Sequence, residues 1–193
     1  MNSFEILYDK ITYHLSNKTL LDKGYHPLYT AWAQAKIAII GQAPGRIAQE
    51  KMIPRQDKSG DKLKEWLGVS ESEFYDPDLI AIIPMDFYYP GKRSHGDLPP
   101  RKDFASLWHG QLMALMPDIQ LIILIWAYAQ KYYLWKTCKK NLTETVRSYA
   151  EYLPYFFPLV HPSPLNFRWQ KNNPWFEKQI LPILQHTVRA IIH

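Results

Sequence analysis

The chain has 193 residues, the length of one ordinary domain, so we expect a single domain over 1–193. Its only cysteine, Cys138, excludes an internal disulfide and a four-cysteine zinc or iron–sulfur site. The net charge of +5 at pH 7 suits an anionic partner. Aromatic residues make up 15% of the chain and offer rings on which a partner could stack.

The first predicted element is an amphipathic helix over 4–15, where apolar residues recur at helical spacing. Glu5 and Asp9 interrupt this segment, which therefore lacks the continuous apolar core of a targeting signal. The longest apolar stretch, 119–129, is shorter than the roughly 20 residues that a membrane-spanning helix needs. We therefore expect a cytoplasmic protein with no membrane attachment.

Four short apolar runs, each typical of a buried strand, alternate with helical patterns along the rest of the chain. Strands are predicted at 36–40, 79–85, 119–126 and 156–160. Helices are predicted at 59–67 with Ser59 as its cap, 104–116, 128–137, 143–152, and from Asn173 onward with a kink at Pro182. This order predicts an α/β fold, a three-layer α/β/α sandwich around a central, mainly parallel four-stranded sheet.

Three of the predicted strands end in unusual sequences: GQAPGR (41–46), DFYYPGK (86–92) and HPSPLN (161–166). Ligands of parallel α/β sheets bind at the carboxyl ends of the strands, so these loops are the candidate site. The glycines and proline of 41–45 favour close backbone approach to a ligand, although they are also typical of an ordinary turn. His161 is either a structural histidine or a hydrogen-bond donor to a substrate.

Together, GQAPG at 41–45 and HPSPL at 161–165 resemble the two signature motifs of the uracil-DNA glycosylase superfamily. SGDKLKEWLG (59–68), DLPP (97–100) and the sequence from 161 to 177 resemble a bacterial branch of that superfamily. The resemblance implies hydrolysis of the N-glycosidic bond of uracil or another deaminated or damaged base, flipped out of DNA during base-excision repair. It implies damaged DNA as the partner and no metal or organic cofactor, and we expect a monomer.

The resemblance also implies roles for individual residues. His161 matches the histidine that donates a hydrogen bond to the departing base, and Gln42 is the second catalytic candidate. The base would contact the rest of the first loop, Gly41, Ala43, Pro44 and Gly45.

DNA contacts are implied for the second loop. Leu165 matches a residue that wedges into the duplex, although it could equally be an ordinary leucine at the start of a helix. Ser163 and Pro164 resemble a segment that contacts phosphates, and Ser59 offers a second anion site. Further candidate phosphate contacts are Lys92, Arg93, Arg101, Lys102, Arg168 and Lys171.

Three positions depart from the superfamily pattern. Ala43 stands where well-studied members have an aspartate that positions water. Either backbone groups hold that water or another acid does, and the candidate acids are Asp57, Asp61 and Asp86. Pro84 occupies the place of an asparagine that reads the base, which leaves Asp86 as the polar candidate for substrate binding there.

The third departure concerns the ring that stacks on the flipped base. Arg55 stands where an aromatic residue is expected, and an arginine plane, Tyr88 or Tyr89 could replace that ring. The GQAPG loop is most similar to the first loop of the iron–sulfur branch of the superfamily. That branch needs four cysteines, so the lone Cys138 separates this chain from it.

Two other functions remain open from the sequence. One is a DNA-binding protein on the same scaffold that has lost catalysis, with Ala43 and Pro84 as traces of that loss. The other is an N-glycosidase acting on small nucleosides or nucleotides, because one scaffold can carry several chemistries.

Overall fold

The computed structural model describes residues 2–54, 57–94 and 96–193. Within this part of the chain, four strands form one parallel sheet in the order β2-β1-β3-β4. The strands are β1 (Ile37–Ile40), β2 (Ile80–Ile82), β3 (Leu121–Ile125) and β4 (Phe156–Leu159). Helices cover both faces of the sheet, which confirms the predicted α/β architecture.

The α-helices of the described residues are α1 (Ser3–Thr12), α2 (Lys18–Leu21), α3 (Arg46–Lys51), α4 (Lys58–Leu67), α5 (Glu71–Phe74), α6 (Phe104–Met113), α7 (Trp126–Leu134), α8 (Leu142–Arg147), α9 (Phe167–Asn172) and α10 (Leu181–Ile192). Short 3-10 turns occupy Leu15–Asn17, Trp135–Thr137, Tyr149–Glu151 and Pro164–Asn166. A π-helical turn, Phe176–Ile180, leads directly into α10.

Alternating side chains of the strands fill two cores, as the two-residue period of a strand requires. Ile37 and Ile39 of β1 pack in the core that holds α4 and α10. Ala38 and Ile40 pack in the opposite core, with α1 and α6. Because both faces are covered by apolar helices, the strands read as continuous apolar runs in the sequence.

The order of the strands creates a crevice beside β1. The chain passes from β1 to β2 through α4 on one face, and then from β2 to β3 through α6 on the other face. The direction of winding therefore reverses at β1, which has β2 on one side and β3 on the other. Such a switch point is where open α/β sheets bind ligands.

The cap of α4 differs from the sequence prediction. Asp57 is its N-cap and accepts a hydrogen bond from the Gly60 N–H at 2.8 Å, so Ser59 lies inside the first turn. Aspartate and serine are both good caps, and here the extended backbone at Asp57 places that residue at the helix start.

The C-terminal helix also departs from the predicted simple kink. The π-helical turn precedes Pro182, and the N–H of Leu181 bonds to the carbonyl of Phe176, five residues back. Proline cannot donate an amide hydrogen and its ring crowds the preceding turn. The wider turn before Pro182 accommodates this crowding without breaking the helix.

Candidate functional site

A cavity of about 260 Å³ opens at the carboxyl ends of β1 and β2. Its wall contains the predicted site residues Gly41, Ala43, Pro44, Gly45, Ser59 and His161. Apolar side chains and two carboxylates complete it: Leu28, Ala48, Pro54, Ile82, Pro84, Asp57 and Asp97. The two loops that carry the sequence motifs therefore meet at one cavity, although they are about 120 residues apart in the chain.

A smaller cavity of about 180 Å³ shares four wall residues with the larger one: Ala43, Pro44, Asp97 and His161. Gln42 lines this second cavity together with Pro90 and Leu98. The candidate catalytic residues Gln42 and His161 are thus brought together at the smaller cavity.

Backbone hydrogen bonds hold the first loop in place. The Gly41 carbonyl accepts from the Met85 N–H at 2.8 Å, and the Gln42 carbonyl accepts from the Asp86 N–H at 3.2 Å. These bonds continue the pairing of β1 with the chain that leaves β2. The first loop is therefore fixed against the exit of the neighbouring strand.

The second loop holds the His161 ring through its own backbone. The Ser163 N–H donates to Nδ1 of His161 at 3.1 Å, and the Asn166 side chain donates to the His161 carbonyl at 3.1 Å. A nitrogen that accepts this bond carries no proton, so the proton of the neutral ring is on Nε2. This tautomer makes Nε2 a hydrogen-bond donor.

Trp126 is a neighbour of His161 that sequence reasoning missed. It follows β3 directly, and its ring meets the His161 ring edge-on at a centroid distance of 6.3 Å. Its φ of 72° lies in the left-handed region, which is unusual for a bulky residue. No sequence signal marks this position, since glycine is the residue normally expected there.

Of the three carboxylates predicted to replace the missing aspartate, only Asp57 lines the cavity. Asp61 lies in a groove between α4 and residues 162–170 and pairs with Lys64 at 3.1 Å. Asp97, which the sequence prediction did not include, lines both cavities. The sequence signal for this position was the pair of glycines at 91 and 96, which is typical of a hairpin that could bring Asp97 to the cavity.

Asp86 has a structural position that argues against the predicted role in substrate binding. It is fully buried, and Arg101 binds its two carboxylate oxygens at 2.7 and 2.8 Å. The same carboxylate accepts the N–H groups of Tyr88 and Arg101. Arg101 also donates to Asn17 at 2.6 Å, so this predicted phosphate contact is instead part of a buried network.

Tyr88 is likewise not placed for stacking on a base. Its side chain is 0% exposed and lies beneath the Arg101 guanidinium, whose carbon is 5.3 Å from the centre of the ring. Tyr88 lines neither of the two cavities. Arg55, the other predicted stacking residue, lies outside the described residues.

The predicted DNA-contacting segment lies at the surface. Leu165 is 89% exposed in the 3-10 turn, which makes it no part of the core. The Ser163 hydroxyl accepts from the Leu165 N–H at 3.2 Å, and Pro164 begins the turn. Arg168 is exposed on α9, beside the also exposed Phe167.

The described residues show neither a metal centre nor a membrane-spanning helix. Residues 2–54, 57–94 and 96–193 contain no group of three or more histidine, cysteine, aspartate or glutamate residues that could hold a metal ion. Within the same ranges, no helix combines the length and the apolar character needed to cross a membrane.

The fold and the cavity define an α/β protein with a cavity at a switch point of the sheet, between a Gly–Pro loop and a histidine. The family model of the uracil DNA glycosylase superfamily matches residues 28–185, a range that contains both motif loops and every wall residue of the two cavities. The chain belongs to this superfamily, which confirms the resemblance of the two motifs. Membership supports a glycosylase type of function.

Proposed function

We propose that this protein is a monofunctional DNA glycosylase of base-excision repair. It hydrolyses the N-glycosidic bond of uracil, or of another deaminated or damaged base, after the nucleotide has been flipped out of DNA. The observation that carries this proposal is the convergence of the first loop and His161 on one cavity at the switch point of the sheet. The reaction needs no metal or organic cofactor.

The base is bound in the larger cavity, against the backbone of residues 41–45. Apolar side chains such as Leu28, Ile82 and Pro84 supply the walls, and His161 supplies a polar group. A wall that combines apolar side chains with polar groups suits the apolar faces and the polar edge of a base. The tightly held first loop allows close approach because two of its residues are glycine.

The chemical step separates charge. The bond between C1′ and the base nitrogen breaks, and both bonding electrons leave with the base, so that the sugar becomes oxocarbenium-like. The Nε2–H of His161 donates to the base oxygen on which negative charge develops. A water molecule adds to C1′ and loses one proton, and the departing base gains one, which yields an abasic site and the free base.

Engagement of DNA uses the exposed second loop. Leu165 projects from a rigid turn that begins with proline, as suits a side chain that fills the space left by a flipped base. Ser163 and the nearby Arg168 supply phosphate contacts, which position the duplex without reading its sequence.

The test is a single-turnover assay on oligonucleotides that contain uracil, hypoxanthine or xanthine. We expect an abasic product from at least one of them. The His161→Ala variant is expected to cut the rate by about tenfold or more while DNA affinity stays nearly constant, because the lost bond acts mainly in the transition state.

His186→Ala is the matched control, since His186 is exposed on α10 and lines neither cavity. This variant should keep the parent rate. Release of no base by the parent chain, together with salt-dependent DNA binding, would instead favour a DNA-binding protein without catalysis.

A further inference from the structure

The first loop lacks a carboxylate, yet the reaction requires a group that holds water near a positively charged sugar. Ala43 stands where that group is expected, so either backbone groups or an acid from another element holds the water. Among the described wall residues of the two cavities, the carboxylates are Asp57 and Asp97.

Asp57 is already engaged as a helix cap. Its Oδ1 accepts the Gly60 N–H at 2.8 Å, a bond that stabilises the start of α4. Asp57 lines the larger cavity only, whereas Ala43 and His161 line both.

Asp97 lines both cavities, as do Ala43 and His161. It ends a short hairpin in which the Leu98 N–H donates to the Gly91 carbonyl at 2.9 Å and the Arg93 N–H donates to the Gly96 carbonyl at 2.8 Å. Gly91 and Gly96 have φ values of 106° and 77°, which favour glycine at both corners. The hairpin therefore brings a carboxylate to the side of the cavity where the first loop has none.

The Tyr89 phenol contacts this carboxylate, and a buried amide holds the Tyr89 backbone. The Tyr89 hydroxyl donates to Asp97 Oδ1 at 3.4 Å, and the Tyr89 N–H donates to the side chain of Gln49 at 2.8 Å. Gln49 is 2% exposed and is itself anchored to the His26 carbonyl at 2.8 Å. Loss of hydration and the negative charge of Asp97 raise the pKa of the Tyr89 phenol, which keeps it a donor.

We propose that Asp97 is a catalytic residue that binds the attacking water. The inference rests on the proposed glycosylase function and assigns one of its steps. As the C1′–N bond breaks and the electron pair leaves with the base, the water oxygen bonds to C1′ and one water proton passes to the Asp97 carboxylate. The same negative charge stabilises the oxocarbenium-like sugar before water adds.

The experiment compares Asp97→Asn and Asp97→Ala with the parent in single-turnover base release. We expect both variants to lose about a hundredfold or more in rate, since a positioned base contributes at least that factor. Added formate should restore part of the rate to Asp97→Ala, which leaves room for a small carboxylate, and little to Asp97→Asn. A merely structural role would not produce this rescue.

Two further variants serve as controls. One tests whether any loss of a negative charge lowers the rate, and the other tests whether Asp57 holds the water instead of Asp97. Asp118→Asn makes the same charge change at an exposed site before the amino end of β3 and should keep the parent rate. Asp57→Asn retains a good cap and tests the other carboxylate of the cavity.

The outcomes distinguish this inference from the function on which it rests. An active parent with an Asp97→Asn rate within about threefold of it would overturn the inference alone, because a positioned base is worth far more. A large rate loss in Asp57→Asn, without one in Asp97→Asn, would do the same. A parent chain that releases no base overturns both the function and the inference.

Discussion

At the scale of single residues, Trp126 has a strained backbone at the edge of the candidate site. Its left-handed backbone costs a non-glycine residue about 1–2 kcal/mol. The indole is partly buried against the core that contains α4 and α10, and it also meets the His161 ring. These contacts offset the backbone cost, so the residue persists where glycine would be relaxed.

Replacing Trp126 by glycine and by alanine separates the backbone from the side chain. Both variants lose the indole, but only glycine relaxes at a φ of 72°, so Trp126→Gly should be more stable than Trp126→Ala by about 1 kcal/mol. Urea unfolding of the two variants measures this difference. The prediction would be contradicted if the two variants were equally stable, or if Trp126→Ala were the more stable one, as is usual inside a helix.

At the scale of elements, one side-chain amide joins the ends of β3 and β4. Gln130 of α7 is buried and donates to the Leu124 carbonyl of β3 at 3.3 Å and to the Leu159 carbonyl of β4 at 2.9 Å. Trp126 follows β3 and His161 follows β4 closely. The positions of these two rings therefore depend on one helix that bridges both strands.

Gln130→Leu should destabilise the fold by about 2–4 kcal/mol, because it removes the donor from two buried carbonyls. The free energy of unfolding in urea is the measurement. Gln185→Leu is the control, since Gln185 makes a single bond of 3.1 Å to the Glu65 carbonyl at the surface. A loss at Gln130 no larger than that at Gln185 would contradict the bridging role.

At the scale of the whole molecule, the half-buried Arg101 and the buried His109 tie separate parts of the chain together. Arg101 joins Asp86 to Asn17, and so links the long loop after β2 to the N-terminal region. His109 of α6 donates through Nε2 to the Pro84 carbonyl at 3.0 Å and accepts through Nδ1 from the Tyr133 hydroxyl of α7 at 2.7 Å. Because Pro84 lines the larger cavity, the His109 link supports the wall of the site.

The His109 link makes global stability depend on pH. Burial lowers the pKa of His109 from 6.5 to about 4, so between these values the unfolded chain binds a proton that the folded chain does not. The free energy of unfolding should therefore fall as the pH drops from about 6.5 to about 4, with a contribution from His109 of about 3 kcal/mol.

Urea unfolding across this pH range, in the parent and in His109→Gln, measures that contribution. The variant removes the titrating group, so it should lose less stability in acid than the parent, and His186→Ala should follow the parent. Identical pH dependence in the parent and His109→Gln would contradict the prediction.

Much of the molecule was predictable from the sequence because the signals are local. Apolar runs marked the four strands, and the helical spacing between them predicted the parallel sheet and its two covered faces. The Gly–Pro loop at 41–45 and the histidine at 161 were recognisable because each follows a strand and carries an unusual residue pattern. Helix and strand ends shifted by a few residues, since caps such as Asp57 and Ser59 compete at neighbouring positions.

Only the tertiary structure decided which side chains reach the cavity. Asp86 and Tyr88 lie in the predicted loop after β2. Arg101, fifteen residues after Asp86, holds both side chains in the interior. Asp97 reaches the cavity because a hairpin with two left-handed glycines turns the same loop back toward β1. Sequence patterns report the local preferences of the backbone, whereas side-chain direction in a long loop depends on partners that are distant in the chain.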